Sequence, residues 1–144
     1  MNFYIRDAVK EDAKEICLLN CIELGYDFPL DEVRKKLDAL TIGRKDKILV
    51  AVAEGNVVGY IHANDYDTLY TPHLKNIMGI AVSKDYRQAG IGKALLFAAE
   101  EWAKETKAKG IRLVSGESRT EAHAFYQKCG YFSKKNQKNF IKMF

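Results

Sequence analysis

Ile77-Met78-Gly79-Ile80-Ala81-Val82 runs directly into Ser83-Lys84-Asp85-Tyr86-Arg87-Gln88-Ala89-Gly90-Ile91-Gly92-Lys93. The first six residues are apolar and rich in Ile and Val, the pattern of a buried strand. A polar turn follows, and a glycine pair opens a helix. Ile91, Ala94, Leu95, Ala98 and Trp102 recur at helical spacing and predict one buried face. The first amides of such a helix lack partners within it, and the helix dipole adds positive potential there. A strand, glycine turn and helix in that order therefore make a cradle for phosphate. Gly90 and Gly92 permit close approach of the main chain, and Arg87 adds a positive charge.

Two common phosphate cradles are excluded by position. A Walker A loop needs Gly where Arg87 stands and Ser or Thr where Ala94 stands. A dinucleotide fingerprint needs a third Gly where Leu95 stands. What remains is R-x-x-G-x-G on Arg87, Gly90 and Gly92. This resembles the acyl-CoA signature of the GNAT superfamily of N-acetyltransferases. The resemblance implies that the cradled group is the pyrophosphate of coenzyme A. It assigns cofactor binding to Arg87, Gln88, Ala89, Gly90, Ile91, Gly92 and Lys93. Taken without its surroundings, the same six residues are also a plain Gly-rich turn with a surface arginine.

The chain has 144 residues, 47% hydrophobic and 29% charged, which suits one ordinary globular domain over 1–144. No apolar run is long enough to span a membrane, and the N-terminus lacks the apolar segment of a signal peptide. Cys17, Cys21 and Cys129 make no disulfide framework, and Cys17 and Cys21, four apart on a predicted helix, read as small buried hydrophobes, so no metal is expected. These features together imply a cytoplasmic protein. The net charge of +4 is mild and interspersed, apart from Lys134, Lys135, Lys138 and Lys142. Neither nucleic acid nor membrane is expected as a partner; a homodimer stays open.

Taken in order, residues 3–7 predict a first strand. Ala13, Ile16, Cys17, Cys21 and Leu24 predict a helix ended by Gly25, with Glu11 and Asp12 suiting its dipole. Pro29 opens a second helix striped by Leu30, Val33, Leu37 and Leu40, and residues 41–46 read as a loop. Residues 47–53 and 57–63 are strands joined by Glu54-Gly55-Asn56. Residues 64–73 read as irregular. After the strand, turn and helix of the opening come a strand at 111–114, a helix from about Thr120 to Cys129, and a tail predicted to form two strands. The order implies a mixed α/β sheet with helices on both faces. It is similar to the GNAT fold along essentially the whole chain, including a bulged, splayed fourth strand. Gly79 marks the bulge or, equally, a tight packing spot. By resemblance, Ile80, Ala81 and Val82 there pair with the pantetheine arm.

Residues 115–131 are the second informative stretch. Ala122, Phe125, Tyr126 and Cys129 share a helix face, and the segment looks like the late GNAT motif. By itself Tyr126 reads as a core aromatic. In company with the upstream signature it becomes the general acid, since a phenol protonates a leaving thiolate readily. Two departures stand out. Arg119 replaces the family's Asn seven residues before the Tyr and is counted with the cofactor-binding residues. Met78 occupies the position of a Glu that aids amine deprotonation. Glu117 is then the candidate base, with Asp65, His73, His123 or water as alternatives.

The resemblance implies an acetyl-CoA-dependent N-acetyltransferase in which a primary amine attacks directly. Tyr26, Asp65 and Tyr66, with Glu23, Asp27, Asp67 and Tyr70 nearby in sequence, suit a small cationic acceptor. Protein N-termini or lysines are alternative acceptors. A non-catalytic acyl-CoA-binding module and a ligand-free interaction domain are the rival classes.

Overall fold

The computed structural model describes residues 2–144, which divide into two compact units, one running to Leu113 and the other Val114–Phe144. The first unit contains β1 (Phe3–Asp7), α1 (Ala13–Leu24), α2 (Leu30–Ile42), β2 (Asp46–Ala53), β3 (Asn56–Tyr66), β4 (Leu74–Val82), α3 (Ile91–Glu105) and β5 (Ile111–Leu113). The strands form one open sheet in the order β1-β2-β3-β4-β5, antiparallel except for the parallel pair β4 and β5. α1 and α2 cover one face through Ile16, Leu19, Val33 and Leu37, packed with Val50, Val52, Val57, Tyr60 and Ala81. α3 covers the other through Ile91, Leu95, Leu96, Ala99, Trp102 and Ala103. Its buried stripe is thus turned slightly from the predicted one, with Ala94 and Ala98 at the margin. The second unit contains α4 (Thr120–Lys128).

The alternation of β2 explains this layering. Ile48, Val50 and Val52 point to α1 and α2, while Leu49, Ala51 and Ala53 point the other way, and all six are buried. A strand covered on both faces reads as a continuous apolar run. Fully burying each of its Val, Leu and Ile side chains is worth about 1.5–3 kcal/mol. β2 and β3 join through Glu54 and Gly55, both left-handed at φ 53° and 78°, as a tight hairpin requires.

Several expected boundaries move. β3 continues through Tyr66 and β4 starts at Leu74, so only residues 67–73 of the predicted irregular stretch lie outside strands. The reason is pairing: Asn64, Asp65 and Tyr66 find partners in Asn76, Lys75 and Leu74. α2 likewise continues to Ile42. Asp12 stands at the N-cap of α1, where its charge suits the dipole, and it has a second task. It is 4% exposed, accepts two hydrogen bonds from Arg6 at 2.8 and 2.9 Å, and accepts a third from the Val9 amide. Burial alone would raise its pKa, but those donors outweigh it and hold the carboxyl below its ordinary value.

The two strands predicted for the tail do not form: residues 131–144 carry neither helix nor strand. Phe132, Phe140, Ile141 and Phe144 are exposed there. A strand is held by hydrogen bonds to a neighbour, and apolar residues interleaved with lysines do not supply one.

Gly59 on β3 fixes how closely α3 approaches the sheet. A Cβ there would lie 3.1 Å from the Ala81 carbonyl oxygen and 3.3 Å from Leu95 Cδ1. Gly59→Val is expected to destabilise the protein by about 1–3 kcal/mol through overpacking. Urea unfolding checks this: the midpoint should fall with the slope unchanged.

Candidate functional site

The opening stretch folds as a strand with an interruption. Ala63 pairs with Ile77 and His62 with Gly79, so Met78 is an extra residue on β4 with no opposite number. The bulge therefore sits at Met78, one position before the glycine that marked it in sequence. Its consequence follows from the two-residue period of a strand. Lys75 and Ile77 face α3, opposite Asp65 and Ala63. Beyond the bulge, Gly79 and Ala81 face α1, opposite His62 and Tyr60. On the other edge of β4 the pairing with β5 ends at Ile77 with Leu113. Met78 to Val82 thus continue as strand with no partner strand on that edge, and Ile80, Ala81 and Val82 lie within this segment.

The turn that follows is braced on two sides. Residues 84–86 form one 3₁₀ turn whose Tyr86 hydroxyl donates to Glu54 at 3.1 Å. Glu23, in the last turn of α1, accepts from the Lys84 amide at 3.1 Å and from Arg87 at 2.6 Å. Gln88 and Gly90 are both left-handed, at φ 66° and 86°. Gly90 is the N-cap of α3 and supplies no side-chain cap. The amide of Ala94 reaches the Gly90 carbonyl, but those of residues 88–93 find no acceptor among the described residues. Left-handed residues in a turn ahead of a helix N-terminus suit a concave nest of amides. An anion placed there meets several N–H groups and the positive end of a helix of 15 residues.

Arg87 was expected at this cradle, and its ion pair with Glu23 was not foreseen. The Arg87 side chain is 53% exposed. A pair so open to water is worth about 0–1 kcal/mol, too little to hold Arg87 from a phosphate. Glu23, by contrast, is nearly buried and committed to the turn, which removes it from the acidic residues available to an acceptor.

In the second unit, α4 carries Tyr126 against Phe125 and Tyr131, with ring centroids 5.4 and 6.1 Å away. The hydroxyl makes no hydrogen bond within this unit. Burial raises its pKa above the ordinary phenol value, and the Arg119 charge opposes that rise only in part. Tyr126 is therefore protonated across the neutral range. Glu117 and Arg119 are exposed. His123 Nε2 donates to the Gly116 carbonyl at 2.9 Å, so its ring has a structural task.

Two of the three acceptor residues expected from sequence are engaged elsewhere. Asp65 forms an ion pair with Lys75, which is 2% exposed and lies 4.1 Å from the centre of the Trp102 ring. Tyr66 lies under the Arg112 guanidinium at 4.3 Å. His73 pairs with Asp67 at 2.7 Å. Tyr26 is exposed. Sequence reasoning missed Lys75, because a lone lysine on a strand reads as surface until its partners are known. It also missed Tyr60, whose hydroxyl donates to Asn20 Oδ1 at 2.5 Å. A cleft of about 490 Å³ in the first unit lies at the far end of α3, beside Trp102 and Thr106. It offers no helix N-terminus and is not the candidate site. Among the described residues there is no cluster of three metal-ligating side chains and no helix long and apolar enough to cross a membrane.

Residues 10–131 match the family model described as acetyltransferase (GNAT) family. The chain belongs to this family. Two curated GNAT relatives are informative. Streptothricin acetyltransferase A of Bacillus subtilis (strain 168) is 48% identical over 52 residues, 36% of this chain and 30% of that protein. The alignment therefore spans less than a third of that relative's length. Aminoalkylphosphonate N-acetyltransferase of Salmonella typhimurium is 27% identical over 128 residues, 88% of this chain and 83% of that protein. Among solved structures, the aminoglycoside antibiotic 6'-N-acetyltransferase from Acinetobacter baumannii has the same fold. Its TM-score is 0.86 at 20% identity, with 99% of each chain covered. The mixed sheet with helices on both faces is thus the GNAT fold.

Gly90→Val tests the cradle. A β-branched residue at φ 86° is strained, by about 1–2 kcal/mol. Relieving that strain closes the nest. Coenzyme A affinity measured by calorimetry is expected to fall about tenfold, and the thermal midpoint to fall by roughly 2–8 °C.

Proposed function

We propose that this protein is an acetyl-CoA-dependent N-acetyltransferase acting on a primary amine of a small cationic molecule. One observation carries the reading: the unpaired amides of residues 88–93 stand at the end of a strand whose outer edge is unpartnered from Met78 onward. That combination fits a long thioester carrier with phosphates at one end and an amide-bearing arm. The amides of Gln88 to Lys93, with Arg87, would take the pyrophosphate. The main chain of Ile80, Ala81 and Val82 would pair with the arm. Arg119 adds positive charge for the same anionic ligand.

The amine nitrogen bonds to the acyl carbon, the carbon–sulfur bond breaks, and the thiolate leaves. Tyr126 hands its phenolic proton to that thiolate and regains one from solvent. The proton lost by the amine goes to Glu117. Among the described residues Asp65, His73 and His123 are engaged, whereas no partner is seen for the exposed Glu117 side chain. Main-chain N–H groups beyond the bulge polarise the carbonyl. Small-molecule amines are favoured as acceptors because the relatives named above are acetyltransferases of streptothricin, aminoalkylphosphonates and aminoglycosides. Tyr26 offers an exposed aromatic face to a cation.

One observation favours a second reading, a non-catalytic acyl-CoA-binding module. Met78, 58% exposed at the bulge, cannot accept a proton. That module would bind coenzyme A and release no thiol with any amine.

Thiol release from acetyl-CoA with an amine panel separates the two, and Tyr126→Phe then tests the acid. Under the transferase reading kcat falls about 10²–10⁴-fold, the usual worth of general acid catalysis, while coenzyme A affinity is kept. Because the acid works protonated and its pKa is raised, wild-type kcat should hold up to about pH 10 and decline only above it. Unchanged turnover in Tyr126→Phe would remove the tyrosine from the mechanism.

A further inference from the structure

Tyr60 is 8% exposed on β3, on the sheet face that carries α1. Its hydroxyl donates to Asn20 Oδ1 in α1, at 2.5 Å. Burial pushes its pKa up to about 12, with the neighbouring Tyr26 phenol acting in the same direction. The hydroxyl also lies beside the bulge: a Cβ on Gly79 would come within 3.6 Å of it. Gly79 is the first residue after Met78, on the face to which the bulge redirects the chain. Asn20 is held in turn by the end of its own helix, where its carbonyl takes the Tyr26 amide at 3.0 Å.

A purely architectural link between α1 and β3 does not need this arrangement. Phe fills nearly the same volume, and removing both polar partners of a buried pair is close to neutral. What the pair achieves is a hydroxyl whose only proton is spoken for. Its oxygen then offers lone pairs and nothing else, next to a residue without a side chain. Such a group suits an N–H donor and cannot donate to a nitrogen lone pair. That is the requirement at an amine about to attack, since a hydrogen bond onto its lone pair would block the nucleophile.

We propose that Tyr60 is an acceptor-site contact: its oxygen accepts a hydrogen bond from the primary amine at the β4 bulge, with Asn20 fixing the hydroxyl proton out of the way. This rests on the transferase reading above. A carrier held by its phosphates at residues 88–93, with its arm along the free edge of β4, brings its thioester end back toward Gly79. Tyr60 holds one N–H of the amine there and leaves the lone pair directed at the carbonyl.

The test measures steady-state kinetics with acetyl-CoA and four amines: sisomicin, spermidine, lysine and 2-aminoethylphosphonate. With whichever amine wild-type protein acetylates, Tyr60→Phe should raise the amine KM about tenfold, the effect of losing one hydrogen bond to a charged or polar donor. The acetyl-CoA KM should not move, and kcat should change less than the amine KM. Asn20→Ala should raise the amine KM by a smaller factor. The double variant should be no worse than Tyr60→Phe, because the two side chains act as one unit. An amine KM unchanged in Tyr60→Phe, or a double variant whose effects multiply, would overturn the contact while leaving the transferase reading intact. Wild-type protein that binds coenzyme A by calorimetry but acetylates none of the four would overturn the transferase reading and the contact with it.

Discussion

One extra residue in one strand governs this molecule. Met78 has no partner on β3, so the side-chain alternation of β4 reverses there. Before it, Lys75 and Ile77 belong to the α3 layer. After it, Gly79 and Ala81 belong to the α1 layer. At the same point the hydrogen bonds to β5 stop. A continuous ladder would leave the sheet no free edge beside β4 and no glycine beside Tyr60. The bulge costs ladder hydrogen bonds, and what it gives is a strip of main chain with no partner strand on one edge.

The turn after β4 depends on that strand for its position and on α1 for its shape. Glu23 grips it through the Lys84 amide and Arg87, and Glu54 holds Tyr86 from the hairpin side. These contacts are individually weak at a surface. Their value is geometric: they set residues 84–87 so that Gln88 and Gly90 can adopt left-handed backbone and aim their amides together. α1 therefore serves both ends of the candidate site, with Glu23 at the cradle and Asn20 at Tyr60. Gly59 allows α3 to press against β3 and β4, which places its N-terminus at the end of the strand.

Much of this was legible in the sequence because it is local. The glycine pair, the helix stripe behind it and the apolar strand before it are close neighbours in the chain, and their spacing fixes the turn. α4 was legible for the same reason. The parts that escaped are those decided by distant partners. Lys75 becomes a buried cation only because Asp65 and Trp102 meet it. Glu23 and Arg87 are far apart in sequence, and nothing local predicts their pairing. Asp65 and Tyr66 read as loop residues free to meet a substrate until register places them opposite Lys75 and Leu74. The tail shows the reverse error: its aromatic residues suggested strands, but strand formation is a property of two segments rather than one.

The account stands on residues 88–93 as the seat of a diphosphate. Backbone amide resonances of isotope-labelled protein, followed by NMR during titration with coenzyme A, test this most directly. Saturating shifts concentrated on the amides of Gln88, Ala89, Gly90, Ile91, Gly92 and Lys93, with smaller ones along residues 79–82, are the predicted result. Binding that shifts other amides and leaves those six unmoved would contradict it.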